Sequence, residues 1–104
     1  MQYYSLKWSP TAKITYLQIL EYLETNWTKK ELKSFIGRTQ KVIEYICDRP
    51  LLYSYSKEGN IHKCIVAKKV SLFYRIEGTE IQLLVFWDNR QSPEKLISIV
   101  NPHL

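Results

Sequence analysis

A chain of 104 residues with 45% hydrophobic and 13% aromatic residues, 3 glycines and 4 prolines holds a single core and is neither disordered nor fibrous. Its 15 lysines and arginines outnumber 10 acids, a formal net charge of +5 spread along the chain: 9 basic and 6 acidic residues up to Asn60, then 6 and 4. Such a balance points to nucleic acid, a nucleoprotein or an acidic protein as partner. No apolar run reaches the ~18 residues that span a bilayer, and no leader pattern opens the chain, so no membrane is expected and the cytoplasm is the expected location. Cys47 and Cys64 lack metal-ligand or redox spacing and are expected to be reduced thiols packed as small hydrophobes.

In chain order, residues 3–8 read as a short strand. Ser9-Pro10 then starts a helix, with serine as the cap and proline at the first helical position, where no N–H is needed. At 100° per residue Ala12, Tyr16, Ile19, Leu20, Leu23 and Trp27 share one face. Ile14 and Leu17 fall off that stripe, so they either pack beneath another element or stand exposed for a partner. Thr28-Lys-Lys-Glu31 has the form of a capping box and starts a second helix almost at once. Leu32, Phe35, Ile36, Thr39, Ile43 and Ile46 form its buried stripe, while Lys30, Lys33, Arg38 and Lys41 make the other side basic. Pro50 ends it, because the residue before a proline avoids helical geometry. The two helices form an antiparallel hairpin.

Residues 49–60 read as a loop. Apolar runs rich in β-branched and aromatic residues follow from Ile61 to Ile76 and from Ile81 to Gln91. Polar breaks at Ala67-Lys68-Lys69 and Glu77-Gly78-Thr79-Glu80 divide them into a three-stranded antiparallel meander. Ser92-Pro93-Glu94 starts a last helix, from Glu94 to Val100. The expected fold is α+β: an N-terminal strand beside a meander, a helical hairpin on one side and a short C-terminal helix, in one domain spanning 1–104.

Lys63, Lys68, Lys69 and Arg75 lie in a stretch from Ile61 to Ile76 that holds no acid, a plausible surface for an anionic partner; the plainer reading is a solvated sheet face. Trp87-Asp88 reads as a buried tryptophan followed by a turn-forming acid, and Asp88 is close enough to hold Arg90. Phe73, Tyr74 and Phe86 could offer a base-stacking platform, but filling a core is the stronger reading. His62 reads first as a surface or hairpin-edge histidine. There is no Gly-rich phosphate loop, paired-carboxylate site, Ser/His/Asp set or metal cluster, so neither a cofactor nor a small-molecule substrate is expected.

Trp8-Ser-Pro-Thr-Ala12, Ile46-Cys-Asp-Arg-Pro50, Val70-Ser-Leu-Phe-Tyr-Arg-Ile76 and Val85-Phe-Trp-Asp-Asn-Arg-Gln91, in that order, resemble the RelE/ParE superfamily of type II toxin–antitoxin toxins, the plasmid stabilisation family, over essentially the whole chain. The resemblance implies a toxin neutralised by a small antitoxin that wraps over its surface. It leaves two activities open on one fold: mRNA cleavage on the ribosome, as in RelE-like members, or poisoning of DNA gyrase, as in ParE-like members. The nuclease pattern implies cations on the first meander strand, an arginine early in the second, a cation after the third and a tyrosine in the last helix. This chain offers His62 and Lys63, with Cys64 where the resemblance implies a second cation, then Ser71 at the arginine position with Arg75 further along instead, then Arg90, and no tyrosine after Tyr74.

Metal-free RNA cleavage needs a base, an acid and fixed cations on the transition state. His62 titrates near neutrality by type and Arg90 could clamp a phosphate, but Lys63 faces away from His62 on a strand. The depleted set favours a ParE-like toxin acting on gyrase or a similar nucleoprotein target. Its expected target contacts are Lys63, Lys68, Arg75 and Arg90, and its antitoxin contacts Ile14, Leu17, Lys30, Arg38 and Lys41. The alternatives are a ribosome-dependent mRNA endonuclease using Arg90 and His62, and a toxin-derived binding protein without activity.

Overall fold

In the computed structural model, which describes residues 4–91 and 93–100, one mixed sheet carries a helical hairpin. The elements are β1 (Ser5–Trp8), α1 (Pro10–Asn26), α2 (Lys29–Asp48), a 3-10 turn (Pro50–Leu52), β2 (Ser54–Ser56), β3 (Ile61–Ala67), β4 (Val70–Glu77), β5 (Glu80–Asp88) and α3 (Pro93–Val100). The strand order is β1-β5-β4-β3-β2. β1 runs parallel to β5, with Trp8 opposite Leu83, and the other neighbours pair antiparallel.

Both helix starts follow the capping logic. The Ser9 hydroxyl accepts from the Ala12 amide at 3.0 Å, with Pro10 at the first helical position. The Thr28 hydroxyl accepts from the Glu31 amide at 3.2 Å, while the Glu31 carboxylate meets that hydroxyl at 3.4 Å. α1 stops at Asn26, and Trp27 is already extended (φ −125°, ψ 174°). Trp27 therefore leaves the helical stripe and is 51% exposed, where the sequence pattern places it in the core.

The loop expected over 49–60 contains the 3-10 turn and β2, which adds a fifth strand by pairing Tyr55 with His62. Gly59 and Asn60 turn the chain with positive φ (81° and 53°), a conformation open to glycine and tolerated by asparagine. Gly78 (φ 61°) does the same between β4 and β5.

Cys64, Val66, Leu72, Tyr74, Ile81, Leu83 and Phe86 from the sheet close a core against Ala12, Leu23, Phe35 and Ile46 of the hairpin. At its centre Phe86 stacks with Trp8 (5.4 Å) and packs against Tyr16 (4.9 Å), which stacks on Phe35 (6.0 Å). Ring pairs of this kind each add about 0.5–1.5 kcal/mol beyond the area they bury. Val85 and Trp87 are buried outside this cluster, and α3 packs against the same strand.

β1 ends opposite Leu83, so the β5 backbone beyond it needs other partners. α1 supplies them. The Ser9 hydroxyl donates to Leu84 O at 3.0 Å, and the Thr15 hydroxyl accepts from the Phe86 amide at 3.0 Å. This fixes α1 over the exit of β5, where the candidate site lies.

Candidate functional site

The exit of β5 is a tied corner. The Asn89 amide donates to Lys69 O at 2.8 Å, and the Ser71 hydroxyl donates to Asn89 Oδ1 at 3.0 Å. The β3–β4 turn, with Lys68 and Lys69, is thereby held beside the turn that carries Arg90. Trp87 is buried and Asp88 opens the turn, as the sequence implied.

Asp88 accepts from its neighbour four times: from the Arg90 amide (2.9 Å) and Nε (3.0 Å) at Oδ1, and from Nε (3.1 Å) and Nη2 (2.6 Å) at Oδ2. The guanidinium lies over the Tyr22 ring of α1, 5.5 Å from its centroid. The hydrogen bonds from Arg90 hold the Asp88 carboxyl below its ordinary range, with a further contribution from the Lys69 charge. Arg90 is in turn pushed up, by Asp88 first and Tyr22 second. Arg90 is thus an oriented cation, half exposed at the surface.

Between α1 and this corner runs a groove of about 770 Å³. Ile19, Leu23, Phe35, Val70 and Phe86 give it apolar walls, Tyr22 and the exposed Trp27 flank it, and Lys68, Lys69 and Arg90 supply cations.

The expected contact residues divide. Lys68 and Arg90 line the groove together. Lys63 is exposed on β3 with its ammonium 6.0 Å from the Phe73 ring. Arg75 donates to Gly59 O at 2.9 Å and to Asn60 O at 3.3 Å, bracing the β2–β3 turn. On the helices Ile14 and Leu17 are 55% and 57% exposed, and Lys30, Arg38 and Lys41 are exposed along α2. Tyr74 and Phe86 fill the core, as expected, and Phe73 is half-buried.

His62 is not at the surface. It is 4% exposed, stacked on Tyr74 (5.0 Å, 9° between planes) and tilted against Tyr55 (4.7 Å), with Nδ1 3.3 Å from Tyr53 O. The reason is β2, which brings Tyr55 across from it. His62 pairs with Tyr74 while Asp88 pairs with Val70. Four residues along β4 correspond to roughly 13 Å of strand, and β4 lies between the two strands that carry them, so His62 and Arg90 are not neighbours. Burial pushes both free thiols, Cys47 and Cys64, above their ordinary range.

Thr15, Gln18 and Tyr22 line the groove without having been singled out from the sequence, whereas Lys69 was named only as part of the acid-free stretch. Tyr22 carried a faint signal: an aromatic residue off the α1 stripe, two turns beyond Ile14.

No family model matches the chain, and neither does any curated protein. Solved structures do match. The chromosomal ParDE toxin–antitoxin system from P. aeruginosa aligns with 82% of this chain and 95% of its own at TM-score 0.69 and 16% identity. The YoeB dimer from Staphylococcus aureus covers 79% and 92% at TM-score 0.54 and 13% identity. A copper-bound mutant toxin from Helicobacter pylori covers 84% and 96% at TM-score 0.50 and 17% identity. The class defined here is the α+β fold of RelE/ParE-type toxins, as the sequence resemblance implied.

Proposed function

We propose that this chain is the toxin of a bacterial type II toxin–antitoxin pair, kept inactive in the cytoplasm by a cognate antitoxin, and that its activity is ParE-like. The fold it shares with toxins of such systems supports the first part. One observation carries the second: the two groups that could have moved protons and held phosphate, His62 and Arg90, lie on either side of β4 and are offset by four residues, roughly 13 Å, along it, and His62 is closed off from solvent. General acid–base catalysis needs its groups within hydrogen-bond reach of the reacting atoms, directly or through one water. The strand positions at which the resemblance implies cations hold Cys64 and Ser71, both buried. What remains is a basic, aromatic-flanked surface suited to binding, with DNA gyrase or a similar nucleoprotein as target.

Inducing the lone chain should stop growth, and purified protein should inhibit gyrase supercoiling while leaving mRNA on translating ribosomes uncut. Discrete A-site cleavage products in primer extension, lost in Arg90→Ala, would promote the ribonuclease reading. Absence of growth arrest by folded protein would leave the chain a binding protein without activity.

A further inference from the structure

We infer that the solvent face of α2 binds the phosphate backbone of duplex DNA. This deepens the proposed function and rests on its nucleoprotein target, because it gives the chain a direct hold on the nucleic acid of that target. It also moves Lys30, Arg38 and Lys41 from the restraining partner to the DNA.

α2 turns Phe35, Thr39 and Ile46 into the core, and leaves Lys29, Lys30, Lys33, Arg38 and Lys41 exposed. At 1.5 Å per residue these cations span roughly 18 Å of helix. Among the described residues none of them pairs with an acid. Glu31 is drawn to the Thr28 hydroxyl at the cap, Asp48 lies beside Arg49, and Glu44 stands one turn beyond Lys41. Glu21 and Glu24, exposed on α1, form no ion pair with the row either.

The order of these charges works against the helix itself. Lys29 and Lys30 open α2, Glu44 and Asp48 come near its end, and its last turn holds no base. The helix dipole favours the opposite arrangement. Lys29 and Lys33, Lys30 and Lys33, and Arg38 and Lys41 are three or four residues apart, where like charges repel. Gly37 sits in the middle of the row, and a Cβ there would meet nothing within 4 Å. No packing need explains a glycine that weakens a helix interior. A phosphate backbone does, since it comes closest where no side chain stands.

The exposed residues between Lys29 and Lys41 are all polar or charged, which selects the occupant. Protein interfaces are built on apolar anchors and are poor in lysine at their centres. Single-stranded nucleic acid is held by stacking bases on aromatic rings, and this face exposes none. A helix lying on a membrane needs its apolar side free, whereas Leu32, Phe35, Ile43 and Ile46 pack into the core. The phosphates of a duplex need only the cations, and such contacts hold without reading sequence.

The test uses the folded full chain and a short fluorescent duplex DNA of mixed sequence, with its single strand and the matching duplex RNA as further probes. Anisotropy should show saturable binding that falls roughly a hundredfold between 50 and 200 mM salt, as release of about four counterions requires. Lys30→Gln, Lys33→Gln, Arg38→Gln and Lys41→Gln combined should weaken binding by about a hundredfold at low salt and flatten the salt slope. The melting temperature of that variant should hold or rise, because the repulsion and the opposed dipole are relieved. Gly37→Glu, with open space at its base, should weaken binding about tenfold by placing an acid under the phosphates. Lys13→Gln with Lys57→Gln removes exposed cations away from α2 and should change binding by no more than about twofold.

The inference is overturned if the duplex does not bind, or if either α2 variant binds as the wild type does. It is equally overturned if Lys13→Gln with Lys57→Gln weakens binding as much per charge removed. Tighter binding of the single strand or of duplex RNA is a further contrary result. Inhibition of gyrase supercoiling is scored separately. Inhibition by a wild-type chain that binds no DNA removes the DNA face and leaves the toxin reading standing, whereas α2-dependent DNA binding without inhibition does the reverse.

Discussion

The guanidinium of Arg90 is held between the Asp88 carboxylate, at 2.6 Å, and the face of the Tyr22 ring, 5.5 Å from its centroid. Two elements distant in sequence thus agree on where one cation stands. Because the group is exposed and its partner lies two residues away, the pairing orients the side chain and adds little to folding.

Arg90→Ala should therefore leave the melting temperature nearly unchanged while reducing growth arrest. Arg90→Lys should restore little, because lysine offers a point charge in place of the planar fork that Asp88 and Tyr22 hold. Tyr22→Leu should give a partial loss at wild-type stability. If Arg90→Ala melts the fold, and arrest merely follows the amount of folded protein, Arg90 is a structural residue.

Acid should act on the same corner. The folded Asp88 carboxyl lies below its ordinary 3.8 because Arg90 donates to it and Lys69 adds positive charge nearby. A group depressed in this way contributes stability above its unfolded value, and the contribution is lost as pH falls through the folded one. Asp88 should thus supply a small part of the fall in the wild type's melting temperature below about pH 4, and Asp88→Asn should reduce that slope slightly at a nearly unchanged plateau. An unchanged acid slope in Asp88→Asn would assign it to other carboxylates.

The parts of this architecture that rest on local chemistry were legible in the sequence. Ser9-Pro10 and Thr28 start helices where the side-chain oxygens cap free amides, Pro50 ends α2, and the polar breaks after Val66 and Ile76 divide the meander. What was missed depends on contacts between distant segments. Ser54-Tyr55-Ser56 has no apolar alternation and becomes a strand because β3 offers it an open edge. His62 was read as exposed for want of that strand, and Trp27 as buried because the helical stripe was carried one residue past the helix end. The groove depends on Thr15, Ser71 and Asn89 meeting partners as much as 71 positions away, which no window along the chain can show.

Thr15 gives a direct measure of such a distant tie. Its hydroxyl donates to Thr11 O at 2.7 Å and accepts from the Phe86 amide at 3.0 Å. Thr15→Val keeps the shape and strands that amide beside an apolar core, a loss of about 1–3 kcal/mol. Thr15→Ser should recover most of it. Urea denaturation of the two variants provides the comparison, and equal stabilities would mean that water reaches the Phe86 amide without cost.

His62 is the residue at which structure and activity can be separated most cleanly. Its ring lies flat on Tyr74, 9° from parallel, under a hydroxyl-bearing ring that donates to Pro50 O at 2.6 Å and so fastens the 3-10 turn to the sheet. Removing the imidazole opens a void between Tyr55 and Tyr74, and His62→Ala should cost roughly 2–4 kcal/mol. His62→Phe refills the stack and gives up only the contact with Tyr53 O, so it should retain most of the stability. If the residue serves packing, growth arrest per folded molecule will be the same in His62→Phe as in the wild type, and the shortfall in His62→Ala will follow its unfolded fraction. A proton-transfer role predicts another pattern, because phenylalanine cannot carry a proton and would abolish arrest as completely as alanine. Measuring denaturation midpoints and arrest together distinguishes the two. Loss of arrest in a fully folded His62→Phe variant would return His62 to the functional site.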